Sequence, residues 1–209
     1  MGRSVRSQTT GRDEVHERIL DVAEEHFRRV GHRKTSVADI ASELGMSPAN
    51  VYRFFPSKDA IKESVCMRMM DEVVDIAVVA ARTRAPALEK LARLATAVHR
   101  HNKTRLAHER RMHDMVVAAM LEGWAHIKVH SARMAAIFER IIREGSEVGE
   151  LKVDDAAEAA RAVDSALTPF FHPILIQCRI QHGEDTETGL RDQVRFIQKA
   201  LGKSTARSD

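Results

Sequence analysis

Residues 45–61 read GMSPANVYRFFPSKDAI, and this stretch decides the fold. Gly45 can take the positive φ that ends one helix and reverses the chain. Ser47 followed by Pro48 is an N-cap with proline at the first helical position. A short helix therefore starts at Pro48. Pro56 and Ser57 close it and open another, with Ser57 as N-cap and Lys58 and Asp59 in the first turn. Upstream, Ser36 and Asp39 have the spacing of a capping box just ahead of Val37, Ile40, Ala41 and Leu44, which predicts a second short helix running up to Gly45. Two short helices joined through a glycine-containing turn form a helix-turn-helix. Short helix pairs also occur in helical proteins that bind nothing, so spacing alone leaves a plain surface helix open.

The residues of the third helix suit the major groove. A reading helix must approach closely, reach base edges and be flanked by groups that hold phosphates. Ala49 is small, Asn50 can bond an adenine edge with both amide groups, and Arg53 can reach guanine or phosphate. Tyr52 can donate its hydroxyl to phosphate, whereas Val51 and Phe55, four apart, face inward to the first helix. Thr35, Ser36 and Ser47 sit beside outward-pointing amides at helix starts, where they can join in gripping phosphates, and Lys58 offers the same from helix four.

Working outward, Val15, Ile19, Val22, Ala23, Phe27 and Val30 recur at intervals of three and four from Arg12 until Gly31, which predicts a first amphipathic helix. Ahead of it, residues 1–12 carry Arg3, Arg6 and Arg12, no acidic residue and no packing face, which reads as a flexible basic arm. Beyond Lys58 the pattern turns to long helices: about 57–84, then from Pro86 to about 103, then runs to 122 and to 145, where REGSEVGE breaks the chain. Two last helices are expected over about 154–181 and 186–201. No internal repeat separates further domains. The expected organisation is a helix-turn-helix domain over 12–60 and a larger helical domain over 61–209.

Composition agrees with an all-α protein. The 209 residues are 44% hydrophobic and 30% charged but only 4% aromatic, whereas strands draw on aromatic and β-branched side chains. The net charge of +3 permits contact with nucleic acid without demanding it. Cys66 and Cys178 are too few and too far apart for a disulfide scaffold or a CxxC metal site. The longest stretch free of charged residues, Ser165–Cys178, is too short to span a membrane, and no signal peptide is visible, so a cytoplasmic protein is expected.

Residues 12–62 resemble the N-terminal domain of the TetR family of transcriptional regulators. That family's turn and third helix run roughly Gly-Val-Ser-x-Gly-x-Leu-Tyr-x-His/Tyr-Phe, then x-Ser-Lys-Glu/Asp-x-Leu. Here the line is Gly45, Met46, Ser47, Pro48, Ala49, Asn50, Val51, Tyr52, Arg53, Phe54, Phe55, then Pro56, Ser57, Lys58, Asp59, Ala60, Ile61. TSVADIASELG, Thr35–Gly45, resembles the family's second helix. Two positions depart: Ala49 stands where glycine is frequent, and Phe54 where His or Tyr commonly reaches a phosphate. The resemblance implies that Thr35, Ser36, Tyr52 and Lys58 hold the DNA backbone while Pro48, Ala49, Asn50 and Arg53 face the bases.

It also implies a homodimer on a double-stranded operator, with the last two helices pairing with their copies, and a small-molecule effector that moves helix four and releases a repressor. Met112, Met115, Met120, Trp124, Met134, Phe138, Phe170 and Phe171 are a candidate lining for such an effector, as adaptable or aromatic groups; stripes of this kind also serve as plain core. The apolar stripes of the last helices can likewise complete a monomer core.

Other functions find less support. Glu122, His126 and His130 lie four apart on one helix face, a spacing that can chelate a metal, but no HExxH accompanies them, and no metal or cofactor is expected. The chain has no Glu-x-x-His of the di-metal bundles, and its Asp-x-x-His, Asp13 to His16, lies in the first helix of the DNA-binding module. No phosphate loop or nucleophile elbow is present, so an enzyme is not expected. A regulator that acts through a protein partner without any ligand remains the alternative.

Overall fold

The computed structural model describes residues 4–123 and 125–202, with side chains from residue 11 onward. Among them are ten helices: α1 Ser4–Val30, α2 Val37–Glu43, α3 Pro48–Val51, α4 Lys58–Ala81, α5 Ala87–His108, α6 Arg110–Leu121, α7 Ala125–Glu147, α8 Ala156–Phe171, α9 Pro173–Gln181 and α10 Thr186–Leu201. The expected all-α class holds. Strand-like pairing among the described residues is confined to an isolated antiparallel bridge between Leu151 and Gly202.

The chain divides into two compact units, residues 1–69 with 109–119, and residues 70–108 with 120–209. In the first, Ile19, Ala23 and Phe27 of α1, Val37, Ile40 and Ala41 of α2, Val51 of α3, Phe55 beyond it and Ile61 and Val65 of α4 are buried. Each fully buried Ile, Val or Phe contributes about 1.5–3 kcal/mol. Arg68 of α4 reaches back to α1, donating to Asp21 at 2.6 Å and Glu17 at 2.7 Å. Burial opposes its charge, but these two carboxylates outweigh that and raise its pKa.

Two boundaries at the N-terminal end differ from expectation. α1 begins at Ser4, so the backbone from residue 4 continues the helix where the sequence predicts a flexible arm; Arg3 lies outside the described residues. No proline interrupts the run, and a lone interior glycine such as Gly11 costs only about 1 kcal/mol. α3 is shorter than expected. Arg53 N donates to Asn50 O and Phe54 N to Val51 O, so its end tightens into three-residue bonds before Pro56.

In the second unit, α5, α7, α8 and α10 enclose a core that includes Leu94, Phe138, Ile141, Ile142, Leu167 and Ile197. The predicted single helix over 154–181 is two. Pro173 pushes His172 out of the α region, to φ −72° and ψ 120°, so α8 stops and α9 restarts. The break deprives the Phe170 and Phe171 carbonyls of helical partners. His99 Nδ1 donates to Phe170 O at 2.9 Å and Asn102 Nδ2 to Phe171 O at 2.9 Å, both from α5. A carbonyl only accepts, so Nδ1 carries the proton and Nε2 accepts from the Thr186 hydroxyl at 3.1 Å, joining the start of α10 to the same ring.

Burial pushes the His99 imidazole below its ordinary 6.5; the Phe170 carbonyl and Glu187 act the other way, and Lys103 and Arg179 add to the depression. As pH falls the unfolded chain takes up this proton first. The stability due to His99 is therefore complete above pH 6.5 and declines below it, until the folded ring also protonates. Urea midpoints measured from pH 8 to pH 5 should fall less for His99→Gln than for the wild type. Equal declines would remove His99 from the account.

Gly145 lies inside α7, although the sequence suggests a break there. A Cβ on Gly145 would stand 2.5 Å from Ala87 Cβ and 3.0 Å from Leu151 Cδ1, so this glycine serves close packing. The helix ends two residues later, and Gly149, at φ +73°, turns the chain.

Candidate nucleic-acid interface

The α2–α3 turn is built from local rules. At the start of α2, Ser36 Oγ accepts from Asp39 N at 3.1 Å and Asp39 Oδ2 accepts from Ser36 N at 2.7 Å, a complete capping box. These bonds from Ser36 hold the Asp39 carboxyl below its ordinary pKa. At the end of α2, Gly45 has φ +65°, Met46 N donates to Ala41 O at 2.8 Å and Gly45 N to Ser42 O at 3.1 Å. This is the Schellman closure, and it reverses the chain. Ser47 then caps α3, accepting from Asn50 N at 3.2 Å, with Pro48 at the first position.

Val51 and Phe55 hold α3 against the domain; the Phe55 ring stacks on His16 of α1 at 4.4 Å between centroids. Fixing those two inward turns the rest of the segment out. Ser47, Pro48, Ala49, Tyr52 and Arg53 are exposed, and Asn50 is half-buried. Asn50 and Arg53 line an open cleft of about 570 Å³ together with Met46, Phe54, and Arg12 and Val15 of α1. Lys58, half-buried at the start of α4, spends one donor on Arg33 O at 3.3 Å and keeps two.

Two residues expected on the phosphate side are otherwise committed. Thr35 is only 1% exposed; its hydroxyl donates to Gly31 O at 3.0 Å and its backbone N–H to the same carbonyl, because both close the turn after α1. Ser36 is exposed, but its hydroxyl donates to Asp39 Oδ2 at 2.7 Å and its other contacts belong to the capping box. Conversely, Arg12, which the sequence placed where the basic arm meets the first helix and gave no DNA contact, stands at the cleft. Its place ahead of Val15 on an amphipathic helix was the available signal.

Residues 19–65 match the model of bacterial regulatory proteins of the tetR family, and residues 87–189 the tetracyclin repressor-like C-terminal domain. The chain belongs to the TetR family. It is thus a DNA-binding transcriptional regulator and not an enzyme. No curated protein sequence matches this TetR-family chain significantly.

Solved structures share the fold. SmeT, the repressor of the Stenotrophomonas maltophilia multidrug efflux pump SmeDEF, is 18% identical, with a TM-score of 0.63 and 91% of each chain covered. It has also been solved with triclosan. A Saccharomonospora viridis protein in complex with choline is 23% identical, covering 91% of this chain and 99% of that one at a TM-score of 0.65. A transcriptional regulator from Cytophaga hutchinsonii is 19% identical, covering 89% and 97% at 0.69.

The residues expected to line an effector pocket of this TetR-family chain fall into different places. Met112 and Met115 are buried in the first unit; Met120, Met134, Phe138, Phe170 and Phe171 belong to the second, and Trp124 lies outside the described residues. Phe170 is a packing hub. The His99 ring forms a T-shaped pair with it, 6.1 Å between centroids, and the Arg179 guanidinium lies 4.8 Å over its face. Phe138 and Phe171 lie parallel, 6.3 Å apart. Among the described residues no group of three His, Cys, Asp or Glu side chains is placed to hold a metal ion, Glu122, His126 and His130 included. Nor is any helix among them long and apolar enough to cross a membrane.

Proposed function

We propose that this protein is a homodimeric repressor that binds a palindromic operator through α3 and is released by a small apolar or amphipathic molecule held in its second unit. The observation that carries the DNA half is the outward face of α3. Pro48, Ala49 and Asn50 of α3 and Tyr52 and Arg53 of the turn that follows project from a segment pinned by Val51 and Phe55, with Ser47 and Lys58 flanking it. Asn50 and Arg53 read base edges; Tyr52 and Lys58 hold phosphates. A helix this short covers few base pairs, so two copies spaced by about one turn of DNA, roughly 34 Å, are needed for a specific site.

Support for the dimer comes from apolar side chains left in solvent on the last helices: Leu175 and Ile180 on α9, and Phe196 on α10, which is 67% exposed. A second copy is the partner we assign to them. Phe196→Glu should therefore shift the protein from dimer to monomer in sedimentation equilibrium and abolish palindrome binding. A dimer unchanged by this charge would move the interface elsewhere.

The effector half draws on the triclosan and choline complexes of similar folds and on the adaptable and aromatic side chains of Met134, Phe138 and Phe171 in the second unit. Lowering operator affinity a thousandfold requires the effector to favour the non-binding state by about 4 kcal/mol, within reach of one buried ligand. The deciding experiment is selection of bound fragments from random duplex DNA at stated salt, followed by an effector screen on the recovered site. A palindrome supports the reading. Failure of a folded dimer to enrich any sequence would overturn it in favour of a co-ligand requirement or a protein partner.

A further inference from the structure

The cleft beside α3 holds two guanidinium groups, Arg12 from α1 and Arg53 from the reading segment, and none of its described lining residues is acidic. Asp13 and Glu14 follow Arg12 directly in the helix, and neighbours one and two apart do not face each other. Neither arginine is engaged by a carboxylate among the described residues. Two like charges converging on an open cleft raise its positive potential, and an anion is the partner that lowers it. Arg12 is not left to wander: its guanidinium carbon stands 5.9 Å from the centroid of the Phe54 ring, within the range of a cation–π contact. Phe54 has no polar atom to offer DNA. Its ring face, the negative side of the aromatic quadrupole, is what it offers the guanidinium.

We propose that Arg12 and Phe54 act as one unit that grips a phosphate of the operator backbone beside the bases read by Asn50 and Arg53, the Phe54 ring positioning the guanidinium and the guanidinium making the contact. This rests on the DNA-binding reading of α3. Arginine's planar fork suits a phosphate, and a cation–π contact consumes none of its N–H donors. Val15 and Met46 supply the apolar wall against which the adjoining sugar packs. The contact holds register and is indifferent to sequence.

The test uses the full-length protein with its selected operator and with an unrelated duplex, titrated over a range of salt. Arg12→Ala should weaken both duplexes by about tenfold and reduce the slope of log K against log salt by about 1. Phe54→Leu, which keeps an apolar filler in place of the half-buried ring, should lose most of the same amount while unfolding at an unchanged temperature. The double variant should bind no worse than Arg12→Ala alone. Losses that add would overturn the pairing, and an unchanged slope in Arg12→Ala would overturn the phosphate contact. A saturable site for inorganic phosphate, lost in Arg12→Ala while duplex affinity stayed intact, would assign the cleft to a free anion and overturn the proposal. Failure of the wild type to bind any duplex would instead bring down the DNA-binding reading beneath it.

Discussion

Asn50→Ala and Arg53→Ala are each expected to weaken binding to the selected operator by about 1–3 kcal/mol, roughly 5- to 150-fold, with thermal unfolding unchanged. Both side chains line the cleft beside α3, Arg53 exposed and Asn50 half-buried, while α3 is held by Val51 and Phe55. On the proposed reading each substitution removes a pair of hydrogen bonds to one base edge, so discrimination at that base should relax along with affinity. Lys58→Ala makes the contrast. Its loss should fall equally on all sequences and flatten the salt dependence, as for a phosphate contact. If Asn50→Ala and Arg53→Ala bound the operator like the wild type, the reading face would lie elsewhere on the domain.

Gly145→Ala should destabilise the protein by about 1–3 kcal/mol, a fall of several degrees in unfolding temperature for a chain of this size. The direction is not obvious from α7 itself, where alanine is favoured over glycine by about 1 kcal/mol. Packing decides it. The new Cβ would meet Ala87 Cβ at 2.5 Å, and Leu151 at 3.0 Å, against the roughly 3.5–4.0 Å at which carbon atoms rest. Ala87 is a poor candidate for yielding. Its Cβ has no torsion to rotate away, and its backbone N–H is tied to Glu150 Oε2 at 2.6 Å. Combining Gly145→Ala with Ala87→Gly should recover much of the loss. A single variant as stable as the wild type, by calorimetry, would mean that α5 and α7 move apart at little cost.

The capping box of Ser36 and Asp39, the reversal at Gly45, and the Ser47–Pro48 start of α3 were all legible in the sequence. Each depends on φ, on one proline or on a hydroxyl within four residues, and nothing distant has to agree. The inward direction of Val51 and Phe55 was legible for the same reason, as helical period. Pro173 was visible too, yet a run of apolar residues across it suggested one continuous helix. Its effect on His172 is local, but the break holds because His99 and Asn102, about 70 residues away, take up the freed carbonyls.

Pairing between distant segments was decided by the tertiary structure. Gly145 in sequence is equally a helix breaker and a close-approach residue, and the position of Ala87 selects the second. Thr35 carries the hydroxyl that a phosphate contact needs, but folding buries it against Gly31. Phe170 has the composition of a pocket wall and the surroundings of a core hub. Arg12 comes over Phe54, 42 positions along the chain, only when α1 packs beside the α3 segment. By itself the sequence determined the all-helical class, the helix-turn-helix and the face that α3 presents, because capping, turn conformation and periodicity act over a few residues. The tertiary structure decided which polar and aromatic groups remain available to a partner, because burial and hydrogen-bond pairing depend on residues that the chain order keeps far apart.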